Sequence, residues 1–353
     1  MHKAQLFRQA QKDKAVVCTA CKHYCQIADG GTGLCGVRQN VDGSLFLLVY
    51  GKASAVNVDP VEKKPLFHFM PGTRIFSLGT IGCNFGCSFC QNYDVSQVAR
   101  DLRVQLIKEK RKELMGVEVG KYGYELPPGE IVDICMKNNI KSIAYTYNEP
   151  VIFFEYIYDT AKLAKARGIK TVFVSNGYES CEALDKIRPY IDAMNIDLKA
   201  FTEEFYARVC KAKLEPVKET IKHARELGIW VEITTLVIPG KNDTSEELTR
   251  LAQFLASVDK DMPWHITAFH PDFQMKDTPA TTQSTLIRGY DIGKKVGLRF
   301  VYVGNVHDEQ RESSYCPGCN ALLIRRDWYN VKIENFSLGV CQGCGYAMPG
   351  VWA

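Results

Sequence analysis

The sequence predicts an α/β protein, more specifically a partial (β/α)6-type TIM barrel that carries small metal-stapled modules at its N- and C-terminal ends. Short apolar segments alternate with longer amphipathic ones through the middle of the chain, which is the pattern of parallel strands covered by helices. Both ends instead contain closely spaced cysteines. A hydrophobic content of 46% and a charged content of 24% over 353 residues are typical of a globular chain and exclude a disordered or fibrous one.

Each element of the central region follows from its hydrophobic period. The strand candidates are Arg74–Thr80, Ser142–Thr146, Thr171–Ser175, Ala193–Leu198, Trp230–Val237, His265–Phe269 and Arg299–Val303. The helix candidates are Glu130–Asn138, Val151–Arg167, Cys181–Arg188, Glu215–Leu227, Ser245–Ala256 and Leu286–Val296. Parallel strands of this kind place functional residues at their carboxyl ends. Six or seven strands are too few for a closed eight-stranded barrel, and a doubly wound sheet is the alternative.

The predicted domains are an N-terminal cysteine-rich metal-binding module (1–73), the partial barrel (74–311) and a C-terminal zinc-ribbon-like module (312–353). Within the first, Asp42-Gly43 between apolar residues predicts a hairpin turn. The segment Val98–Tyr122 interrupts the barrel pattern with mixed charges. Such a run predicts either a solvated helix face or a lid or partner-docking element.

Charge and hydropathy limit the possible partners and the compartment. The net charge is +4, too small over this length to indicate a phosphate-binding stripe, so nucleic acid is not an expected partner although it stays an alternative. No apolar run approaches a signal peptide or the roughly 18 residues of a membrane span. We therefore expect a soluble cytoplasmic protein that does not associate with a membrane.

Cysteine usage is the most informative feature. Eleven of the fourteen cysteines fall into three groups. In a chain without a secretory signal, thiols at gaps of two and three residues are metal ligands more often than disulfides. The groups are Cys18, Cys21, Cys25 and Cys35; Cys83, Cys87 and Cys90; and Cys316, Cys319, Cys341 and Cys344.

The central group directly follows the first barrel strand. Three thiolates in the spacing C-x3-C-x2-C can bind three corners of a cubane 4Fe–4S cluster and leave the fourth iron open. A structural zinc ion requires a fourth protein ligand, and no suitable residue is adjacent. With Phe89 before the last cysteine and Asn92 shortly after it, the motif resembles that of the radical S-adenosylmethionine (SAM) enzymes. The alternative is a loop of buried cysteines.

Later strands strengthen this resemblance. Tyr147-Asn148-Glu149-Pro150 stands where pyruvate formate-lyase activating enzymes, which the chain resembles, have Gly-Gly-Glu-Pro. The resemblance implies that Glu149 holds the amino group of SAM, although a glutamate before proline also begins helices. Ser-Asn-Gly and Asp-Leu-Lys follow the next two strands, where the resemblance implies contacts to ribose and carboxylate. The resulting candidates for cofactor binding are Phe89, Asn92, Glu149, Ser175, Asn176, Gly177, Asp197, Lys199 and His270.

Some of these positions have a structural alternative. Asp197 and Lys199 could form a surface ion pair, and His265 is expected to be a satisfied core residue, which leaves His270 as the better candidate for the cavity. Val174 stands where some relatives have an acid, so a monovalent-cation site is not expected.

The segments Pro60–Phe69 and Thr146–Pro150, with the flanking cysteine modules, resemble the radical SAM enzymes of the AmmeMemoRadiSam system over essentially the whole chain. This resemblance implies Memo-like and AMMECR-type proteins as possible partners. It also implies a low-potential electron donor of the flavodoxin or ferredoxin type. It supplies no substrate.

The outer groups differ from the central one in having four cysteines each. The C-terminal pair of knuckles is typical of a zinc ribbon, whose four thiolates fill a tetrahedral shell and stabilise the fold; a rubredoxin-like iron or an iron–sulfur cluster would use the same ligands. The N-terminal group, with His23 nearby, predicts either a zinc ion held by its four cysteines or an auxiliary iron–sulfur cluster, with His23 as a ligand a further possibility.

The sequence therefore predicts an oxidoreductase-type or activase-like radical SAM enzyme. In this class, a reduced cluster held by Cys83, Cys87 and Cys90 cleaves SAM to methionine and a 5′-deoxyadenosyl radical, which abstracts hydrogen from the substrate. The alternatives are an activase of a glycyl-radical enzyme, which acts on a protein backbone, an RNA-modifying enzyme, and a non-catalytic metal-binding adaptor. The substrate is unidentified.

Overall fold

The computed structural model describes residues 1–11 and 14–352, and the chain divides into two compact units. The first comprises residues 1–58 and 75–192, and the second comprises residues 59–74 and 193–353. Parallel strands connected by helices confirm the α/β class. The partial barrel and the three-domain division at residues 73 and 311 stay predictions.

The strands up to residue 175 include short pairs in the N-terminal part and three longer parallel strands. They are β1 (His2–Lys3), β2 (Phe7–Gln9), β3 (Val16–Cys18), β4 (Gln26–Ile27), β5 (Arg38–Val41), β6 (Ser44–Leu47), β7 (Lys52–Ala53), β8 (Ala55–Pro60), β9 (Arg74–Gly79), β10 (Tyr124–Glu125), β11 (Ser142–Tyr145) and β12 (Lys170–Ser175). The helices are α1 (Tyr93–Ser96), α2 (Val98–Lys108), α3 (Met115–Val119), α4 (Pro128–Lys137), α5 (Phe154–Ala166) and α6 (Cys181–Ile187). 3₁₀ turns lie at Lys112–Leu114, Pro150–Phe153 and Arg188–Tyr190.

The parallel strands of the first unit bring their carboxyl ends to one edge. β11 lies between β9 and β12, with Ile143 opposite Phe76 on one side and Thr171 on the other. All four residues of β11 are buried, as expected for a strand covered on both faces. The loops after β9, β11 and β12 therefore meet at the same edge, and they carry the central cysteines, Glu149 and Asn176.

The N-terminal part of the first unit is built from small antiparallel sheets. β5 pairs with β6 and β6 with β1, while β3 lies between β2 and β4. Asp42 and Gly43 connect β5 to β6, and both adopt positive φ (50° and 75°), as a two-residue hairpin turn of type I′ requires. The predicted hairpin is therefore present.

The charged segment 98–122 is mainly helical. Five of the eleven residues of α2 are exposed and four are half-buried, while Ala99 and Leu106 are buried. This pattern fits a solvated helix that is anchored by one apolar side. Among the described residues, no helix has both the length and the apolar character that crossing a membrane demands.

The second unit contains four further parallel strands in sequential order. Its strands are β13 (Ala193–Asp197), β14 (Trp230–Val237), β15 (Trp264–Ala268), β16 (Val301–Gly304), β17 (Ser314–Tyr315), β18 (Leu322–Asp327), β19 (Asn330–Ile333), β20 (Phe336–Ser337) and β21 (Val340–Cys341). Its helices are α7 (Glu203–Phe205), α8 (Leu214–Glu226), α9 (Ser245–Val258), α10 (Gln283–Val296) and α11 (Glu309–Glu312), with a 3₁₀ turn at Val61–Lys63 and a π turn at Tyr206–Cys210. β14 pairs with β13 and β15, and β15 pairs with β16, all in parallel.

The C-terminal cysteines lie in a small module of antiparallel strands. β18 pairs with β17 and β19, and β20 pairs with β21. Cys316 and Cys341 belong to a buried cluster with Phe300, Tyr302 and Leu323, so the module and the end of β16 share one apolar core. Burial of this apolar surface, together with any bound metal, holds the module in place.

Candidate functional site

The central cysteines lie on a tight loop after β9. Cys83 and Cys87 are buried and Cys90 is half-buried. The backbone N–H of Phe85 donates to Cys83 Sγ over 3.4 Å, and Cys90 Sγ lies 3.1 Å from Ser96 Oγ. Burial raises the pKa of the Cys83 thiol well above its ordinary value, and the negative charge of Glu149 is the second cause of this increase. A metal cluster would reverse this effect by stabilising the thiolate directly.

The spacing of the sulfurs distinguishes the three cysteine groups. Within the described ranges, the C-terminal group is the one set of three or more His, Cys, Asp or Glu side chains whose ligand atoms all lie within 4.8 Å of one another. Cys83, Cys87 and Cys90 do not form such a compact set. Ligands of a cubane bind different irons at different corners and must be more widely separated. The central loop therefore fits a cluster.

Glycine makes the path of this loop possible. Gly82 has a φ of +92°, and a Cβ at this position would stand 2.8 Å from the carbonyl oxygen of Cys35 and 2.9 Å from a methyl of Val37. Gly79, at the end of β9, has the carbonyl oxygen of Thr146 at 2.6 Å from the equivalent point. Any side chain at either position would push away backbone that approaches the cysteine loop.

Glu149 is a buried carboxylate with several donors, and its side chain also caps the turn Pro150–Phe153. It accepts from Val151 N at 3.1 Å, from Asn176 N at 2.8 Å and from Ser175 Oγ at 3.1 Å. It is 1% exposed. The role at a helix start therefore accounts for the contact with Val151 alone. The contacts with Ser175 and Asn176 connect the carboxyl ends of β11 and β12. Its place beside Cys83 agrees with the resemblance, and its role toward SAM stays a prediction.

A second buried carboxylate, Glu179, lies in the same region and was missed by the sequence interpretation. Burial raises the pKa of both Glu149 and Glu179, and the charge of Glu179 raises that of Glu149 further. Two adjacent buried carboxylates create a site that attracts a cation or a positively polarised amine. Glu179 lies two residues beyond Ser-Asn-Gly, and no spacing pattern marked it.

Asparagines line the space beside the cysteine loop. Asn176 Nδ2 donates to Asn84 Oδ1 over 2.7 Å and lies 4.0 Å from Cys83 Sγ. In the described part of the chain, the buried atoms Asn176 Oδ1 and Asn84 Nδ2 have no hydrogen-bond partner. A buried amide atom without a hydrogen-bond partner destabilises the fold. A polar ligand in this space would supply the missing hydrogen bonds. Asn84 was also missed, because it occupies one of the unspecified positions between Cys83 and Cys87 in the motif.

The residues that replace the two glycines still give the backbone a special conformation. Tyr147 has a φ of +72°, which is the left-handed region normally taken by glycine. Asn92 Nδ2 donates to the Tyr147 carbonyl over 2.9 Å, and Asn148 Nδ2 donates to the Gly82 carbonyl over 2.8 Å. Phe89 is buried in the cysteine loop, whereas Asn92 is exposed. These bonds tie the loop after β11 to the cysteine loop.

The remaining cofactor candidates lie in the second unit. Lys199 Nζ forms an ion pair with Asp197 Oδ2 at 2.7 Å, as the structural alternative expected. His270 is exposed, and His265 is buried with its Nε2 2.7 Å from Glu232 Oε2, which fits a satisfied core histidine. Gly177, in the first unit, has a φ of +74° and its N–H donates to Ser175 Oγ. Contacts of Asp197, Lys199 and His270 with a cofactor stay predictions.

The C-terminal cysteines form a compact four-sulfur group. Cys316 Sγ lies 3.5 Å from Cys344 Sγ, and Cys319 Sγ lies 3.7 Å from Cys341 Sγ. A tetrahedral ion with metal–sulfur bonds of about 2.3 Å separates its sulfurs by about 3.8 Å. These four residues can therefore bind a single metal ion with no open position.

The fold and this site define the class of protein. The model of the Radical SAM superfamily matches residues 78–255, and the chain belongs to this superfamily, whose members are enzymes. It is 40% identical over 344 residues to the uncharacterized protein MJ0808 of Methanocaldococcus jannaschii, covering 96% of this chain and 97% of that one.

More distant relatives have named activities. The putative glycyl-radical enzyme activating enzyme MJ1632 of the same organism is 27% identical and is matched over 55% of this chain and 66% of its own length. The pyruvate formate-lyase-activating enzyme of Clostridium pasteurianum is 22% identical, over 50% of this chain and 67% of its own. The predicted similarity to activating enzymes is confirmed, while the assignment to the AmmeMemoRadiSam system stays a prediction.

Proposed function

We propose that this protein cleaves SAM reductively at a 4Fe–4S cluster and abstracts a hydrogen atom from its substrate. The observation that carries the proposal is the meeting of three separated thiols, two buried carboxylates and two amide atoms without partners at one edge of the parallel strands. Cys83, Cys87 and Cys90 would hold the cluster. When bound, the cluster supplies the electron that breaks the sulfonium bond to the 5′ carbon of SAM.

The residues around the cluster would then bind and orient SAM. Glu149 and Glu179 provide the negative charge that attracts the amino group. Asn176 Oδ1 is a buried acceptor for an amino or hydroxyl proton. By the resemblance, Asp197 would bind the ribose hydroxyls and Lys199 the methionine carboxylate, and we keep His270 as a further candidate for cofactor binding. We also keep a partial barrel as the arrangement and a flavodoxin- or ferredoxin-type protein as the electron donor.

The direct test is product analysis under anaerobic conditions. Reduced protein with SAM is expected to release 5′-deoxyadenosine and methionine in equal amounts, because both arise from the same bond cleavage. Mass spectrometry of the 5′-deoxyadenosine after incubation with deuterated candidate substrates then identifies the hydrogen donor. No 5′-deoxyadenosine above the level of a chemically reduced, protein-free sample would contradict the proposal.

A second candidate is activation of a glycyl-radical enzyme, which the two activating-enzyme relatives favour. In this case deuterium would come from a backbone glycine of a partner protein. Transfer from a small molecule or from RNA would instead place the enzyme in another group of the superfamily. The same deuterium experiment therefore separates the two candidates.

We further propose that the C-terminal group binds zinc as a structural ion. Cys341→Ser is expected to lower the zinc content by about one ion per chain and to destabilise the module by several kcal/mol, since ion binding and folding of such modules are coupled. The measurements are elemental analysis and thermal unfolding. Cys181→Ser changes an exposed cysteine outside the groups and is the matched control. Unchanged zinc in Cys341→Ser would exclude this site.

A further inference from the structure

The N-terminal cysteines line a partly enclosed space of their own. Cys18, Cys21 and Cys35 are buried and Cys25 is half-buried, and all four face the space together with Arg38. Short antiparallel strands and turns hold these cysteines in place. Cys21 forms an isolated β-bridge with Glu179, and the Cys18 N–H donates a hydrogen bond to the Cys25 carbonyl. Four thiols that surround one space form a ready set of metal ligands.

The arrangement of these thiols resembles the central site and differs from the C-terminal one. Over the described residues, the N-terminal thiols do not reach the 4.8 Å mutual limit that the C-terminal group meets. A single zinc ion would require sulfurs about 3.8 Å apart. The spacing C-x2-C-x3-C of Cys18, Cys21 and Cys25 is also the reverse of the central C-x3-C-x2-C, and both place three thiols within eight residues. Cys35 supplies a fourth ligand, which the central motif lacks.

A buried donor without a partner points to the same ligand. Arg38 is 1% exposed and lines the space. Its Nη2 bonds Glu155 at 2.7 Å and its Nη1 bonds the Ile152 carbonyl, whereas its Nε is without a hydrogen-bond partner among the described residues. Sulfur atoms of an iron–sulfur cluster accept hydrogen bonds from such groups. A cluster in this space would therefore also give the Arg38 Nε–H a hydrogen-bond acceptor.

We propose that the N-terminal module binds a second 4Fe–4S cluster through Cys18, Cys21, Cys25 and Cys35. All four irons of such a cluster have protein ligands, so it has no open position for SAM. His23 links the module to the catalytic loop, because its Nε2 lies 3.0 Å from the Asn84 carbonyl oxygen. The Cys35 carbonyl, in turn, packs where Gly82 has no side chain. The second cluster thus lies against the loop of the first.

Metal and sulfide analysis of anaerobically prepared full-length protein tests this proposal. The wild type is expected to contain about eight iron, eight sulfide and one zinc per chain. The triple variant Cys83→Ala/Cys87→Ala/Cys90→Ala leaves the N-terminal module intact and should keep about four iron and four sulfide. The double variant Cys18→Ala/Cys21→Ala should also keep about four iron and four sulfide, in this case at the central site. The electron paramagnetic resonance signal of the reduced double variant should change when SAM is added. Cys181→Ala is the control and should keep eight.

The iron content of the triple variant decides the outcome even if Cys18→Ala/Cys21→Ala fails to fold. Two zinc ions and no iron in the triple variant would overturn the proposal in favour of a zinc site. About two iron and two sulfide would overturn the assignment of a four-iron cluster. Neither result touches the proposed reaction, which depends on the central cysteines and is measured separately by formation of 5′-deoxyadenosine.

Discussion

Cys87→Ala is expected to abolish the formation of 5′-deoxyadenosine, reducing it to the level of a protein-free sample. The substitution removes one of three thiolates, and a cluster held at two corners loses the geometry that leaves one iron open. The measurement is chromatography of the reaction under strict exclusion of oxygen, with a chemical reductant in excess.

The control for this variant is Cys181→Ala, which removes an exposed thiol at the start of α6. It is expected to leave the product yield unchanged. Circular dichroism and zinc content of Cys87→Ala should match the wild type, so that a loss of product reports on the cluster and not on folding. An undiminished yield in Cys87→Ala would exclude the assignment of the central loop as the catalytic cluster site.

Glu149→Ala is expected to weaken SAM binding by about ten- to two-hundredfold, the equivalent of about 1.5–3 kcal/mol for a lost hydrogen bond to a charged group. The carboxylate is 1% exposed, so water does not readily replace it. Its loss also frees the N–H of Asn176, whose side chain lies beside Cys83. Cluster absorbance should be retained, because no iron ligand changes. Equilibrium binding of SAM to the reconstituted protein measures the effect.

Glu149→Gln separates the charge from the shape of the side chain. The pKa of Glu149 is raised, first by burial and then by Glu179, so the ionised form becomes more abundant as pH rises. SAM affinity of the parent should therefore increase with pH above the ordinary carboxyl range, and this increase should be smaller in Glu149→Gln. Glu130→Ala, at an exposed glutamate of α4, is the control. If both Glu149 variants bind as tightly as the parent, Glu149 only begins the turn at Pro150.

Local sequence patterns predicted much of the fold because they depend on neighbours in the chain. The strand Trp230–Val237 has the predicted bounds, and Ser142–Tyr145 differs from prediction by a single residue. Hydrophobic patterns of period two and period 3.6 extend over whole strands and helices. An element is therefore recognised even when one of its ends is predicted a residue too long or too short. The turn at Asp42–Gly43 was equally local, since positive φ at both positions is itself a property of those residue types.

The sequence by itself determined the class of chemistry, because the spacing of Cys83, Cys87 and Cys90 is a property of one short loop. Only the tertiary structure brought Glu179 beside Glu149 and joined Asn84 to Asn176, since these pairs lie on loops after different strands. The separation of sulfurs within each cysteine group was also undetermined by sequence. Equal spacings along the chain allow one ion or a whole cluster, and the packing of the surrounding backbone decides how far apart the thiols stand.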